Sequence, residues 1–198
     1  MKTALVTGAT RGAGRAIAIA LAEAGWRTHA LGRDRTMLDE MRADFGIVPL
    51  AMDLTDRDEL CAIAGEMQLD ALIHAALRWP SQGCFLEIDE AEIDMALEVN
   101  LSATLQLTHG VLPSMIAAGR GEVVLVSPAA HPDTPLIQAT IDGAISAFAG
   151  ALHAEVSPLG VAVSIADSGE PPFEAMACGL AERLSERSSA HPITKAQE

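Results

Sequence analysis

Short apolar runs recur along the whole chain, at residues 4–7, 28–31, 48–52, 71–74, 123–126 and 161–165, each followed by a helix-patterned stretch. Unbroken apolar runs of this length belong to strands buried on both faces, which occur in parallel sheets covered by helices on each side. The helical stretches carry their own stop signals. Residues 13–24 close on Gly25, 35–44 on Gly46 and 101–118 on Gly119, 56–67 follow the N-cap candidate Thr55, and 137–156 halt at Pro158 and Gly160. With right-handed crossovers, this alternation predicts an α/β fold: a three-layer, doubly wound parallel sheet of about six strands, with a ligand crevice at the carboxyl ends of the strands.

The length of 198 residues suits one hydrophobic core, so residues 1–187 are expected to form one domain, with the polar, aperiodic residues 188–198 as a mobile tail. A formal charge of −14 argues against nucleic acid and anionic membrane surfaces as partners. No apolar run nears the roughly 20 residues that cross a bilayer, and the amino-terminal residues lack the pattern of a secretory signal. Cys61, Cys84 and Cys178 are widely spaced and without neighbouring histidines, so neither a disulfide framework nor a metal site is expected. A reducing, cytoplasmic setting is the expectation.

The first run leads directly into Thr7-Gly8-Ala9-Thr10-Arg11-Gly12-Ala13-Gly14, which opens the first helix. Glycines at a strand-to-helix turn let the backbone approach a phosphate, which the helix N–H groups and dipole stabilise. The Gly-x-x-x-Gly-x-Gly spacing resembles that of the short-chain dehydrogenases/reductases, and the resemblance runs from Lys2 to about Gly169. It implies a Rossmann-like fold and a nicotinamide cofactor, with Gly8, Thr10, Arg11, Gly12 and Gly14 at the phosphates. Arg33, with Arg11 and Thr10, is placed to take a 2′-phosphate, and Gly32 stands where relatives preferring NAD carry an acid, so NADP(H) is expected over NAD(H). Arg33 could instead be a solvated helix-start arginine beside Asp34. Asp53 and Leu54 match the family's adenine-contacting pair, although Asp53 could equally cap the next helix. His74-Ala75-Ala76-Leu77 replaces the family's Asn-Asn-Ala-Gly, keeping small residues beside the cofactor.

Asn100 and Ser127 match the family's catalytic asparagine and serine. The resemblance also implies a Tyr-x-x-x-Lys pair, two side chains on one helix face. Anchored on Phe148 and on His153-Ala154-Glu155-Val156, the alignment puts Gln138 at the tyrosine position and Asp142 at the lysine position, after a loop about two residues shorter. In the family the lysine lowers the tyrosine's pKa for proton exchange; Gln138 cannot titrate and Asp142 carries the opposite charge. The chain contains no tyrosine, and its lysines are Lys2 and Lys195. Asp142 could still accept from a nicotinamide ribose and favour oxidised NADP. His131 and His74 are alternative groups titrating near neutrality, or structural histidines. A Ser127–His131–Asp142 triad is a further reading, but the Gly-x-Ser-x-Gly elbow is missing.

Past the sixth run, Ser168-Gly169 replaces the family's Pro-Gly. Residues 173–187 can form a helix with Phe173, Met176, Ala177, Leu180 and Leu184 on one face, covering the cleft or shielding the sheet edge, and no seventh strand is expected. The helices at 101–118 and 137–156 offer a homodimer surface. Two functions follow. One is a divergent reductase of a small-molecule substrate using a non-standard proton donor. The other is a non-redox member that senses NADP(H), or an isomerase, dehydratase or cyclase.

Overall fold

A computed structural model describes residues 1–81, 84–128, 131 and 133–189. Its six strands, β1 (Thr3–Thr7), β2 (Arg27–Gly32), β3 (Val48–Ala51), β4 (Ala71–His74), β5 (Gly121–Ser127) and β6 (Val161–Asp167), form one parallel sheet in the order β3-β2-β1-β4-β5-β6. Every predicted strand is present, with ends shifted by at most two residues or so. The order reverses between β1 and β4, so loops leaving those neighbours diverge and open a crevice.

Alternation along each strand divides the core into two layers. Leu5, Leu31, Leu72, Val123 and Leu125 pack against α3 (Arg57–Glu66), α5 (Ala103–Ala118) and α6 (Leu136–Val156). Ala4, Val6, Ala30, Ile73, Val124 and Val126 face α1 (Gly12–Glu23), α2 (Arg35–Phe45) and α7 (Glu174–Ser189). Gly46 and Gly119 adopt the left-handed conformation that ends α2 and α5, as their positions predict.

Three local readings change. Asp56 rather than Thr55 caps α3, its carboxylate accepting from Glu59 N–H, because Thr55 is already drawn into a turn with Asp53. The helix expected at 101–118 is preceded by α4 (Glu90–Leu97) and a π-turn at Glu98–Ser102, which run into α5 without a break. Finally, α7 extends through Ser188 and Ser189, which the sequence assigns to the tail; residues 190–198 of that tail lie outside the described residues.

Six residues connect β6 to α7. Ala177, Leu180, Ala181 and Leu184 of α7 are buried in the same core layer as α1, so the helix shields the sheet face, while Phe173 just before it borders the crevice. The helix therefore covers a face of the sheet rather than the expected edge, and the cleft is bordered by Phe173 alone of the residues assigned to that helix face. Among the described residues, no strand pairs with the outer edge of β6, and no helix is long and apolar enough to cross a membrane.

Candidate functional site

The loops after all six strands meet in a cleft of about 570 Å³. Gly8, Thr10, Arg11 and Gly12 follow β1, Arg33 and Asp34 follow β2, and Asp53 and Leu54 follow β3; Ala75, Ala76 and Arg78 come from β4, and Ser168 and Gly169 from β6. Backbone bonds tie these loops together: Ala9 N–H donates to Leu31 O at 3.1 Å, Met52 N–H to Gly32 O at 3.1 Å, and Ser168 N–H to Ser127 O at 3.0 Å. The Thr7 hydroxyl accepts from Ala75 and Ala76 N–H at 3.2 and 3.3 Å, fastening the β4 loop to the end of β1.

The glycines are there for space. Gly8 has φ +65°, and a Cβ on it would stand 2.5 Å from Ala76 Cα; one on Gly14 would stand 2.4 Å from Gly8 O. Gly12 has φ +54° and, among the described residues, only Phe173 comes within van der Waals distance of a Cβ placed there, which leaves room where a phosphate would approach. At Gly32 a Cβ would press 2.6 Å from Thr10 Cγ2, which gives the absence of an acid there a steric reason. These features fit a dinucleotide.

Arg33 Nη1 lies 3.4 Å from Asp53 Oδ2, both side chains largely in solvent at 61% and 42% exposure. Asp53 also accepts from Thr55 N–H and Oγ1, closing a local turn rather than capping α3. Partial burial, the largest single influence, raises its carboxyl pKa, but the Thr55 hydrogen bonds and the Arg33 charge outweigh it and leave it below its ordinary value. Arg78, which the sequence reading passed over, is a third exposed arginine on the cleft beside Arg11 and Arg33. Three guanidiniums against the carboxylates of Asp34 and Asp53 make the cleft locally basic in a strongly acidic chain. The signal that could have found Arg78 was its place in the loop after β4.

A smaller recess of about 20 Å³ adjoins the cleft, sharing Ala76 and Leu77 with it. It brings together Asn100, Ser127, Asp142 and His74. Asn100 is buried in the π-turn, where its Oδ1 accepts from Arg78 N–H at 2.8 Å and its Nδ2 donates to Arg78 O at 2.5 Å. A bidentate Arg57–Glu98 pair, at 3.1 and 2.8 Å, braces that turn against α3. Ser127 ends β5 and donates from Oγ to Asp142 Oδ1 at 2.8 Å across to α6.

Gln138 is half-buried in the first turn of α6 and lines neither cavity. A spacing of four keeps both residues on one side of α6, yet Asp142 lines the recess and Gln138, a turn nearer the helix start, does not. His131 is exposed, its ring nitrogen accepting from Asp133 N–H, and it too lines neither cavity. The three groups of the triad reading therefore do not share a cavity. His74 does not line the larger cleft where the cofactor reading put it, and of its two readings, a group titrating near neutrality or a structural histidine, its position fits the second. It is buried, its Nε2 sits 2.9 Å from Thr108 Oγ1, and burial pushes its pKa down to about 3. Among the described residues no His, Cys, Asp and Glu cluster could hold a metal.

The sequence profile described as short chain dehydrogenase matches residues 2–171. An uncharacterized short-chain type dehydrogenase/reductase of Sinorhizobium fredii is 38% identical over 168 residues, covering 82% of this chain and 67% of that protein. D-erythrulose reductase of Gallus gallus is 38% identical over 129 residues, covering 64% of this chain and 52% of that protein. A metagenomic short-chain oxidoreductase solved in complex with NADP superposes with a TM-score of 0.82 at 28% identity, covering 93% of this chain and 90% of that one. The chain thus spans between half and two thirds of the length of the two curated relatives. A match over most of the chain, on a cleft assembled from glycine loop and strand ends, establishes that this protein belongs to the short chain dehydrogenase family.

Proposed function

We propose that the protein binds NADP(H) in the 570 Å³ cleft and acts as a reductase that does not use a tyrosine to deliver a proton. The observation that carries this reading is the open glycine cradle at Gly8, Gly12 and Gly14, bordered by Arg11, Arg33 and Arg78. Gly8, Thr10, Arg11, Gly12 and Gly14 would face the phosphates, Arg33 the 2′-phosphate, Asp53 and Leu54 the adenine, and Ala75 and Ala76 the ribose side, with His74 buried behind them. When bound, the nicotinamide supplies hydride. Asn100 fixes the β4 loop through Arg78, and Ser127 and Asp142 bound the reacting end.

The Arg33–Asp53 pair supports the phosphate preference. An exposed pair of this kind contributes about 0–1 kcal/mol, so releasing it costs less than a guanidinium gains on a phosphate, about 1.5–3 kcal/mol for a charged hydrogen bond. Arg33→Ala is expected to weaken NADPH about tenfold and leave NADH unchanged, read by calorimetric titration of nucleotide-stripped protein. Equal losses for both nucleotides would remove Arg33 from the 2′-phosphate.

A second reading is a non-redox NADP(H) sensor, favoured by Ser127 being engaged with Asp142 and by the missing dyad. Titration with NADPH and NADP+ in parallel, followed by cofactor consumption with carbonyl and imine substrates, separates the two. Binding without turnover of either class supports the sensor, and absence of binding overturns both. We further propose a cytoplasmic homodimer through α5 and α6, whose Leu105 and Leu136 are exposed at 37% and 56%; light scattering giving the monomer mass would exclude it.

A further inference from the structure

We infer that the Ser127–Asp142 recess selects a protonated nitrogen electrophile, an iminium bearing N–H, rather than a carbonyl; this rests on the reductase reading above. The hydrogen-bond polarity of the recess carries the argument. Ser127 Oγ has its proton directed at Asp142 Oδ1 at 2.8 Å, so what it offers a ligand is lone pairs. Among the described residues, Asp142 Oδ2 has no partner and no cationic side chain lines the recess. His74 is neutral and turned to Thr108, while the Asn100 amide is engaged at both ends by Arg78. The remaining walls, among them Leu77, Trp79, Ile141 and Ile145, are largely apolar.

A carboxylate without a counter-charge in such surroundings attracts a cation and repels developing negative charge. Carbonyl reduction builds negative charge on oxygen and needs a proton, and neither is provided for here. In iminium reduction the hydride's electron pair forms a new C–H bond, the C=N π pair moves onto nitrogen, and the product is a neutral amine. Charge and electrons balance with no proton donated. The missing tyrosine and the lysine-to-aspartate exchange then become two parts of one change in substrate class. The volume of about 20 Å³ admits a group the size of one water, which fits an N–H⁺ reaching Asp142 Oδ2 and Ser127 Oγ, the carbon body staying in the larger cleft.

The test is calorimetric and uses the full chain with NADPH bound, after NADPH affinity has been measured separately. Pyrrolidine hydrochloride, a cationic N–H⁺ mimic of the iminium substrate, is compared with cyclopentanol, its neutral counterpart. Pyrrolidine is expected to bind about tenfold tighter, with Asp142→Asn abolishing that preference, and 1-pyrroline, but not cyclopentanone, is expected to be consumed. Equal binding of amine and alcohol by the unaltered protein, or a preference that survives Asp142→Asn, would overturn the assignment. Loss of NADPH binding itself would instead overturn the reductase reading, and the amine comparison would then be run on the free protein.

Discussion

Acidifying the solution from pH 6.5 to pH 4 is expected to cost this protein about 3 kcal/mol through His74 alone, at about 1.4 kcal/mol per pH unit. The imidazole is buried at the end of β4 and its pKa is pushed down to about 3, whereas in the unfolded chain it returns to its ordinary 6.5. Above pH 6.5 neither state holds the proton and His74 contributes no pH dependence. Between pH 6.5 and about 3 the unfolded chain takes up a proton that the folded chain refuses, so stability falls as pH falls, until both are protonated. Urea unfolding of the protein and of His74→Gln across pH 4–7 isolates the effect from the carboxylates, which are common to both. Glutamine can retain the hydrogen bond to Thr108 but does not titrate. The difference between the two curves should shrink or reverse toward pH 4; parallel curves, or a His74 ring resonance titrating near pH 6.5, would refute it.

The same residue shows where the sequence stopped being informative. Strand β4 is legible as an apolar run at 71–74, but the sequence leaves the histidine closing it open between a cleft group and a structural one. What placed it indoors was Thr108, 34 residues away on α5, which supplies the polar partner; local pattern carries no trace of that pairing. The glycine loop was legible because its demands are local: Gly8 and Gly14 are fixed by backbone approaches that any side chain would block. Helix α4 was missed although Asp89, Glu90 and Glu92 form an ordinary helix start, because the stretch is weakly amphipathic and its end is blurred by the π-turn. Asn100 was recognised, but its work, clamping Arg78, depends on that extra residue in the turn. At the catalytic end, composition establishes that the chain has no tyrosine and no lysine between Lys2 and Lys195. Only the fold separates the two residues that the alignment proposes in their places, since Asp142 reaches Ser127 and Gln138 lines neither cavity.

Removing Arg183 is expected to destabilise the protein by about 3 kcal/mol, more than removing its partner Glu122, and this asymmetry follows from where each charge sits. Glu122 shares the face of β5 with Val124 and Val126, pointing at α7, and its side chain is 7% exposed. It accepts from Arg183 Nη1 and from Ser164 Oγ at 3.2 Å, with Arg187 3.6 Å away. Arg183 is 37% exposed and donates to Ser164 as well. Arg183→Leu leaves a buried carboxylate with the Ser164 hydroxyl and the more distant Arg187, and a buried charge short of its compensation is the expensive case. Glu122→Gln leaves a guanidinium that water already reaches, so its cost should be about 1–2 kcal/mol. Urea titrations of both single variants and the double variant measure this. The expected outcome is that Glu122→Gln rescues part of the Arg183→Leu loss, since neutralising the stranded carboxylate removes the penalty. The consequence reaches the cleft, because Glu122, Lys2 and Trp26 all hold α7 down, the latter two through Ser185. Phe173, immediately before α7, stands over Gly12, so loosening the helix should lower NADPH affinity as well as stability. Equal costs for the two single variants would mean that Arg187 replaces Arg183 fully and that the anchoring of α7 is redundant.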